Sequence, residues 1–215
     1  MKSFIYSMVA LLILVSCKND NSASQRSADA QTATLATVSK FLTSEDVTHL
    51  LKIKTAFDKQ LCGSATPDAS TCYLSHAQEV AANFLNKLPY TNNFPYDGSF
   101  DLSKVEKPAS QLSFLTKNCG FQDSVTNNII HYYCLKSQSK LMDYFEALSG
   151  SSTLIKNFYT EYKTTKTISI ALKERFTLDT QSELDFKQVD HQIFYMLAHL
   201  MFNEERIAYE KLSDL

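Results

Sequence analysis

The chain of 215 residues has no tryptophan and only four glycines and four prolines. So few glycines leave little backbone to cradle a phosphate or to form a nucleophile elbow. Neither a glycine-rich phosphate loop nor a GxSxG pattern occurs, and CxxC and HExxH patterns are missing too. There is no long basic run, and the formal net charge is −2, which argues against nucleic acid as a partner. The breakers that do occur are clustered. All four prolines and three of the glycines fall between Gly63 and Gly120, and residues 151–215 have neither, so the C-terminal third is free to be helical.

At the N-terminus, Lys2 is followed by an apolar run from Phe4 to Val15 interrupted only by Ser7. As a helix these twelve residues would span about 18 Å, short of a hydrocarbon core of about 30 Å, so the pattern is that of a signal sequence. The run ends in Leu14-Val15-Ser16-Cys17, which resembles the lipobox of bacterial lipoproteins. That resemblance implies removal of residues 1–16, a diacylglyceryl thioether on Cys17 and acylation of its freed amine. Several acyl chains make a stable anchor where one would not. Lys18, where inner-membrane lipoproteins often carry aspartate, implies the outer membrane of a bacterial envelope. The membrane is then one partner, held through the lipid. Residues 17–34 carry no aromatic or large aliphatic side chain after the cysteine and are expected to be a flexible tether with a reach of roughly 20 to 25 Å.

Loss of Lys2 leaves 20 Lys+Arg against 23 Asp+Glu, a formal charge of −3. The remaining 180 or so residues suffice for one domain with its own core, 35–215. Cys62, Cys72, Cys119 and Cys134 form an even set in a chain directed to an oxidising compartment. Four cysteines allow three pairings. The local one, Cys62 with Cys72 and Cys119 with Cys134, is the expectation adopted, each loop contributing about 3 kcal/mol in the chain-entropy model. The spacings do not suit a four-cysteine zinc site.

The periodicity predicts a mainly α, single helical-bundle domain. One helix runs from a cap at Thr43 or Ser44 to about Leu61. A second begins at a capping box, Ser75 with Gln78, and carries Leu74, Ala77, Ala81, Phe84 and Leu88. A loop spans Pro89 to Pro108, followed by a short helical segment at 111–117. The β-branched and aromatic run Ile129-Ile130-His131-Tyr132-Tyr133 favours a small disulfide-stapled hairpin at about 119–135, turning near Thr126-Asn127, with Cys119 opposite Cys134 and Phe121 opposite Tyr132, and a helix there is the alternative. Leu141, Phe145 and Leu148 mark a helix ended by Gly150. Another starts near Ile155 and could extend through Ile168, Leu172 and Phe176. The last runs from a Ser182 cap to Lys211 or Leu212, with an Arg206–Glu210 contact.

On a helical wheel that last segment gathers Phe186, Val189, Ile193, Leu197, Leu200, Met201 and Ile207 on one side, and His191, Tyr195, His199, Phe202 and Tyr209 on the other. A helix apolar nearly all round belongs at the centre of a bundle. His191, Tyr195 and His199 form a candidate small-ligand pocket. Neither histidine has the acid three residues earlier that a dimetal bundle site uses, so no metal is expected there. Glu204-Glu205 diverge by about 100° on a helix and read as a solvated charged turn rather than a carboxylate pair. Tyr90, Phe94, Tyr96 and Phe100, in the loop PYTNNFPYDGSF, form a candidate partner-binding surface, because aromatic side chains concentrate binding energy. Asp97 and Asp101 do not match a calcium loop. No cofactor motif is present, and no catalytic residue is singled out. The leading expectation is an anchored module that binds another envelope protein or an incoming one, immunity-like or as an accessory subunit. The rival is a lipoprotein that binds a small ligand or a metal.

Overall fold

A computed structural model of the chain describes residues 37–63, 68–86, 112–122 and 127–213. The expected signal sequence, the tether and the aromatic loop with Tyr90, Phe94, Tyr96 and Phe100 lie outside the described residues. Among these residues, six helices and one antiparallel hairpin follow in the order α1 (Ser44–Cys62), α2 (Ala69–Leu85), β1 (Leu115–Gln122), β2 (Ile129–Leu135), α3 (Lys140–Leu148), α4 (Thr153–Thr165), α5 (Ile170–Glu183) and α6 (Val189–Ser213). The fold is a mainly helical bundle with a small disulfide-stapled hairpin.

The bundle is built around α6. Every residue from His191 to Asn203 is buried, as the two apolar faces of this segment require. α1 packs on α2, α2 on α5, α5 on α4 and α4 on α3, and the hairpin lies against α6. Two polar ties hold the hairpin to its neighbours. The Tyr162 hydroxyl on α4 donates to the Leu135 carbonyl at 2.7 Å. The buried Asp46 carboxylate on α1 accepts from the Ser113 backbone N–H at 3.1 Å and from the Ser113 hydroxyl. Phe145, Phe158, Phe176 and Phe194 fill the centre, with Phe194 within 5.1 to 6.0 Å of the other three rings.

Thr43 caps α1 as its sequence predicts, its hydroxyl accepting from the Asp46 N–H at 3.1 Å. Both local disulfides are present, Cys62–Cys72 and Cys119–Cys134. Several boundaries differ from the expected ones. α2 begins at Ala69, so Ser75 lies inside the helix and forms no capping box. Its buried face is Cys72, Tyr73, His76, Ala77, Val80 and Ala81, with Leu74 exposed. Residues 115–117 are strand rather than helix, because their backbone pairs with β2. In the hairpin, Thr116 stands opposite Cys134 and Cys119 opposite Tyr132, with an irregularity between 116 and 119, while Phe121 stands opposite Ile130. The extra residue moves the cysteines out of direct register, yet their Cα atoms remain 6.1 Å apart, within bridging distance.

α3 ends at Leu148 with Ser149 as its cap, so Gly150 is not the capping residue. The run from Ile155 to Phe176 is two helices. Lys166 turns left-handed at φ 62°, Thr165 Oγ1 accepts from the Thr167 N–H, and Ser169 caps the new helix. Ser182 lies in the last turn of α5, its hydroxyl donating to the Asp179 carbonyl, and α6 starts seven residues later at Val189. Between them Asp185 folds a tight turn by accepting from the Lys187 N–H and the Gln188 amide.

Candidate functional site

The three residues predicted to line one pocket are divided by the structure. His191 sits at the start of α6, where its Nδ1 accepts from the Asp185 backbone N–H at 2.8 Å. Its Nε2 lies 2.9 Å from Ser151 Oγ, whose own hydrogen goes to the Leu148 carbonyl. The ring is therefore neutral with its hydrogen on Nε2, donating to Ser151. Burial holds the His191 imidazole below its usual pKa, against the pull of Asp185 and Asp190. With both nitrogens committed, His191 joins the ends of α3 and α5 to α6 and offers nothing to a ligand.

Tyr195 and His199 do come together, and they are joined by a residue the sequence did not single out. His76 on α2 reaches across so that its Nδ1 lies 2.7 Å from the Tyr195 hydroxyl. The His76 and His199 ring centres are 5.5 Å apart, and those of Tyr195 and His199 are 4.1 Å apart. Phe176 and Phe202 complete the enclosure of His199, at 5.1 and 6.5 Å. Burial first, then the neighbouring His76, holds the His199 imidazole well below its usual range. All three side chains are buried, and none of them is in the lining of the groove between α2, α5 and α6 or of the trough between α4 and α5. No group of three or more metal-ligating side chains occurs among the described residues.

An open surface lies at the other end of α6. Phe84 of α2, Ile170, Lys173 and Thr177 of α5, and Phe202 and Tyr209 of α6 line a groove of about 480 Å³. Ile170 is 76% exposed and Tyr209 61% exposed, so two large apolar side chains stand at its mouth. Lys173 pairs with Glu205 at 2.5 Å and lies over the Phe202 ring, its ammonium 5.7 Å from the centre. Arg206 bridges the Asn203 amide oxygen and the Glu210 carboxylate, the i,i+4 contact expected from sequence. Glu205 is thus a wall of the groove in an ion pair, where the sequence reading had it as part of a solvated turn.

Comparisons with protein families, curated proteins and solved structures find no match. The site has to be read from its own chemistry. The groove is apolar in its depth and carries cations already neutralised by acids of its own, so it suits an apolar occupant better than an anion. A second trough, of about 600 Å³ between α4 and α5, is lined by Asn157, Thr160, Glu161, Thr164 and Arg175. No aromatic platform lines it, and Glu161 is engaged by the Ser169 N–H.

Of the groove, the sequence sets apart Phe202 and Tyr209 on the second face of the last helix, and Glu205 and Arg206 as a charged turn. Phe84 was assigned to the core. Ile170, Lys173 and Thr177 carried no signal, because a single exposed isoleucine beside a lysine looks like any helix start. His76 was equally silent. Which face of α2 is buried is decided by Cys72 and Tyr73 packing inward, a tertiary fact.

Proposed function

We propose that this chain is a lipid-anchored protein of a bacterial envelope whose helical domain binds an apolar segment of another protein in the α2–α5–α6 groove. The observation that carries the reading is the exposure of Ile170 and Tyr209 at the mouth of an apolar groove. Such a surface accepts the apolar face of an amphipathic helix, whose side chains recur every three or four residues. The lipobox-like Leu14-Val15-Ser16-Cys17 supplies the anchoring part of the proposal.

The placement of the groove favours a protein over the membrane as its occupant. Phe41, just after the first described residues, packs on Tyr144 at 5.9 Å, and the Tyr144 hydroxyl donates to Asp190 in the first turn of α6. The chain arriving from Cys17 therefore joins the domain at the N-terminal end of α6. The groove lies around 202–209, about 22 Å further along the helix at about 1.5 Å per residue. Among the described residues no helix is long and apolar enough to cross a membrane.

A photo-crosslinking residue at 209, in the lipidated protein in its own cells, tests the reading. A discrete adduct is expected from position 209 and not from the exposed Lys136, and Ile170→Asp should abolish it. The same pattern from both positions, or an adduct indifferent to Ile170→Asp, overturns the groove. The Phe94→Ala/Tyr96→Ala variant examines the aromatic loop independently, and loss of fatty-acid labelling in Cys17→Ser examines the anchor. The volume of the groove also lies within the range of small-ligand sites, which supports an apolar small molecule as the second reading. Native mass spectrometry of protein extracted from cells distinguishes the two by the mass of what is bound.

A further inference from the structure

Behind the groove lies the pair of buried imidazoles, and the two features share their walls. Phe202 lines the groove on one side and, on the other, stands 6.5 Å from His199 and 5.3 Å from Phe176. Thr177, also in the groove, follows Phe176 directly. Phe84 lies two turns beyond His76 on the same helix. α2 meets α6 through rings: Tyr73 with Tyr195 at 5.7 Å, His76 with His199 at 5.5 Å, and the 2.7 Å contact of His76 with the Tyr195 hydroxyl. α2 packs mainly on α1 and α5, and the two histidines stand where its inner face meets α6.

We infer that the His76–His199 pair is an acid-sensitive latch of the α2–α6 seam, releasing α2 and the Phe84 wall of the groove when an imidazole takes up a proton. A cation formed on His199 would lie among Phe176, Phe202 and Tyr195 with a second imidazole 5.5 Å away, a site that disfavours charge by burial and by like-charge repulsion. Among the described residues, the other titratable and charged groups nearest the seam lie on α1, α2, α5 and α6. On the α1 side, Asp58 accepts from both Lys54 and the Tyr73 hydroxyl. On the α5 side Lys173 pairs with Glu205 of α6, and on α2 Glu79 is exposed. His191 lies two turns before His199 and is held by Ser151 and residue 185.

The sign follows from linkage. The folded-state pKa of His199 is lowered, so the latched form keeps it neutral, while an opened form titrates near 6.5. The latch is therefore at full strength above about pH 6.5 and weakens as pH falls below it. Each proton taken up on opening raises the open-to-closed ratio by about tenfold per pH unit.

The functional meaning of the latch rests on the groove reading above, but its test does not need a partner. Because the chain has no tryptophan, Tyr209→Trp places one fluorophore at the groove mouth. Its emission is followed from pH 7.5 to 5 alongside far-UV circular dichroism. The expected result is a reversible emission change below about pH 6.5 while the helical signal is retained. In His199→Phe it should vanish or move at least one pH unit lower, with His76→Gln as the second variant should His199→Phe not fold. His191→Gln and His131→Gln should leave the midpoint in place. An emission that stays flat to pH 5, a midpoint unmoved in the His199 and His76 variants, or one abolished by His191→Gln overturns the latch. If the pH response is found but no adduct forms from position 209, the latch stands and the groove reading falls. An adduct whose yield is the same at pH 7.5 and 5 rejects the latch and keeps the groove.

Discussion

At the scale of single residues, the bundle settles its buried polar groups by closing hydrogen-bond chains rather than by excluding polarity. The chain Asp185 N–H to His191, His191 to Ser151, Ser151 to the Leu148 carbonyl joins the ends of three helices through one imidazole. Replacing that ring with an apolar side chain leaves a backbone donor unmade in a part-buried turn, and an unmade buried donor costs about 1–3 kcal/mol on top of lost packing. His191→Leu is accordingly expected to lower stability by about 2–3 kcal/mol in urea unfolding at pH 7.5. Ser151→Ala should cost about 1 kcal/mol, since it removes a single relay partner. A full loss in His191→Leu beside no loss in Ser151→Ala would show that the ring acts by packing and its Nδ1 bond without the Ser151 relay.

Single residues also decide where elements stop. Gly63 ends α1 at φ 64° and ψ −151°, a region open essentially only to glycine, so Gly63→Ala should destabilise by about 1–3 kcal/mol despite the open space around it. Lys166 ends α4 in the left-handed region with a Cβ that disfavours it. Lys166→Gly removes that penalty and is expected to raise stability by roughly 0.5 kcal/mol after the added entropy of the unfolded chain. The pair of opposite signs at two helix ends is read in a single set of thermal or urea unfolding curves.

At the scale of elements, the hairpin shows how far the sequence reaches. The β-branched run 129–133 and the two cysteines announced a stapled hairpin, and the strand, the bridge and the antiparallel sense are all present. The register was not legible, because the extra residue between 116 and 119 is a backbone adjustment that no side-chain pattern records. Likewise the thirteen-residue buried stretch of α6 was evident from apolar residues on all sides, whereas its start was not. Ser182 followed by Asp185 is a good cap pattern, but α5 runs through it, and the Asp185 turn supplies the real beginning. The three-residue stripe is divided for a related reason. Helical spacing placed His191, Tyr195 and His199 on one stripe, but that stripe meets the α3–α4 turn and α2 at different levels, so His191 finds Ser151 while Tyr195 and His199 find His76. A two-stranded hairpin is marginal without support. The Cys119→Ser/Cys134→Ser variant should therefore lose about 3 kcal/mol, the loop-closure value for fifteen residues, with the helical circular dichroism retained.

At the scale of the whole molecule, the relation between anchor and groove is the property that gives the proposed function its geometry. The segment 37–42 packs at the Tyr144–Asp190 end of α6, and the groove opens at the Glu205–Tyr209 end. Under the proposed lipidation of Cys17, the chain from the anchor enters the domain at the first end, and the proposal places Ile170 and Tyr209 towards the aqueous side. The arrangement predicts an ordering of membrane proximity. With the lipidated protein in vesicles containing brominated lipids, a tryptophan at the exposed Lys40 should be quenched more strongly than one at Tyr209. The reverse ordering would mean that the exposed isoleucine and tyrosine rest on the membrane, and the groove would then be a lipid-contact face rather than a surface offered to another protein.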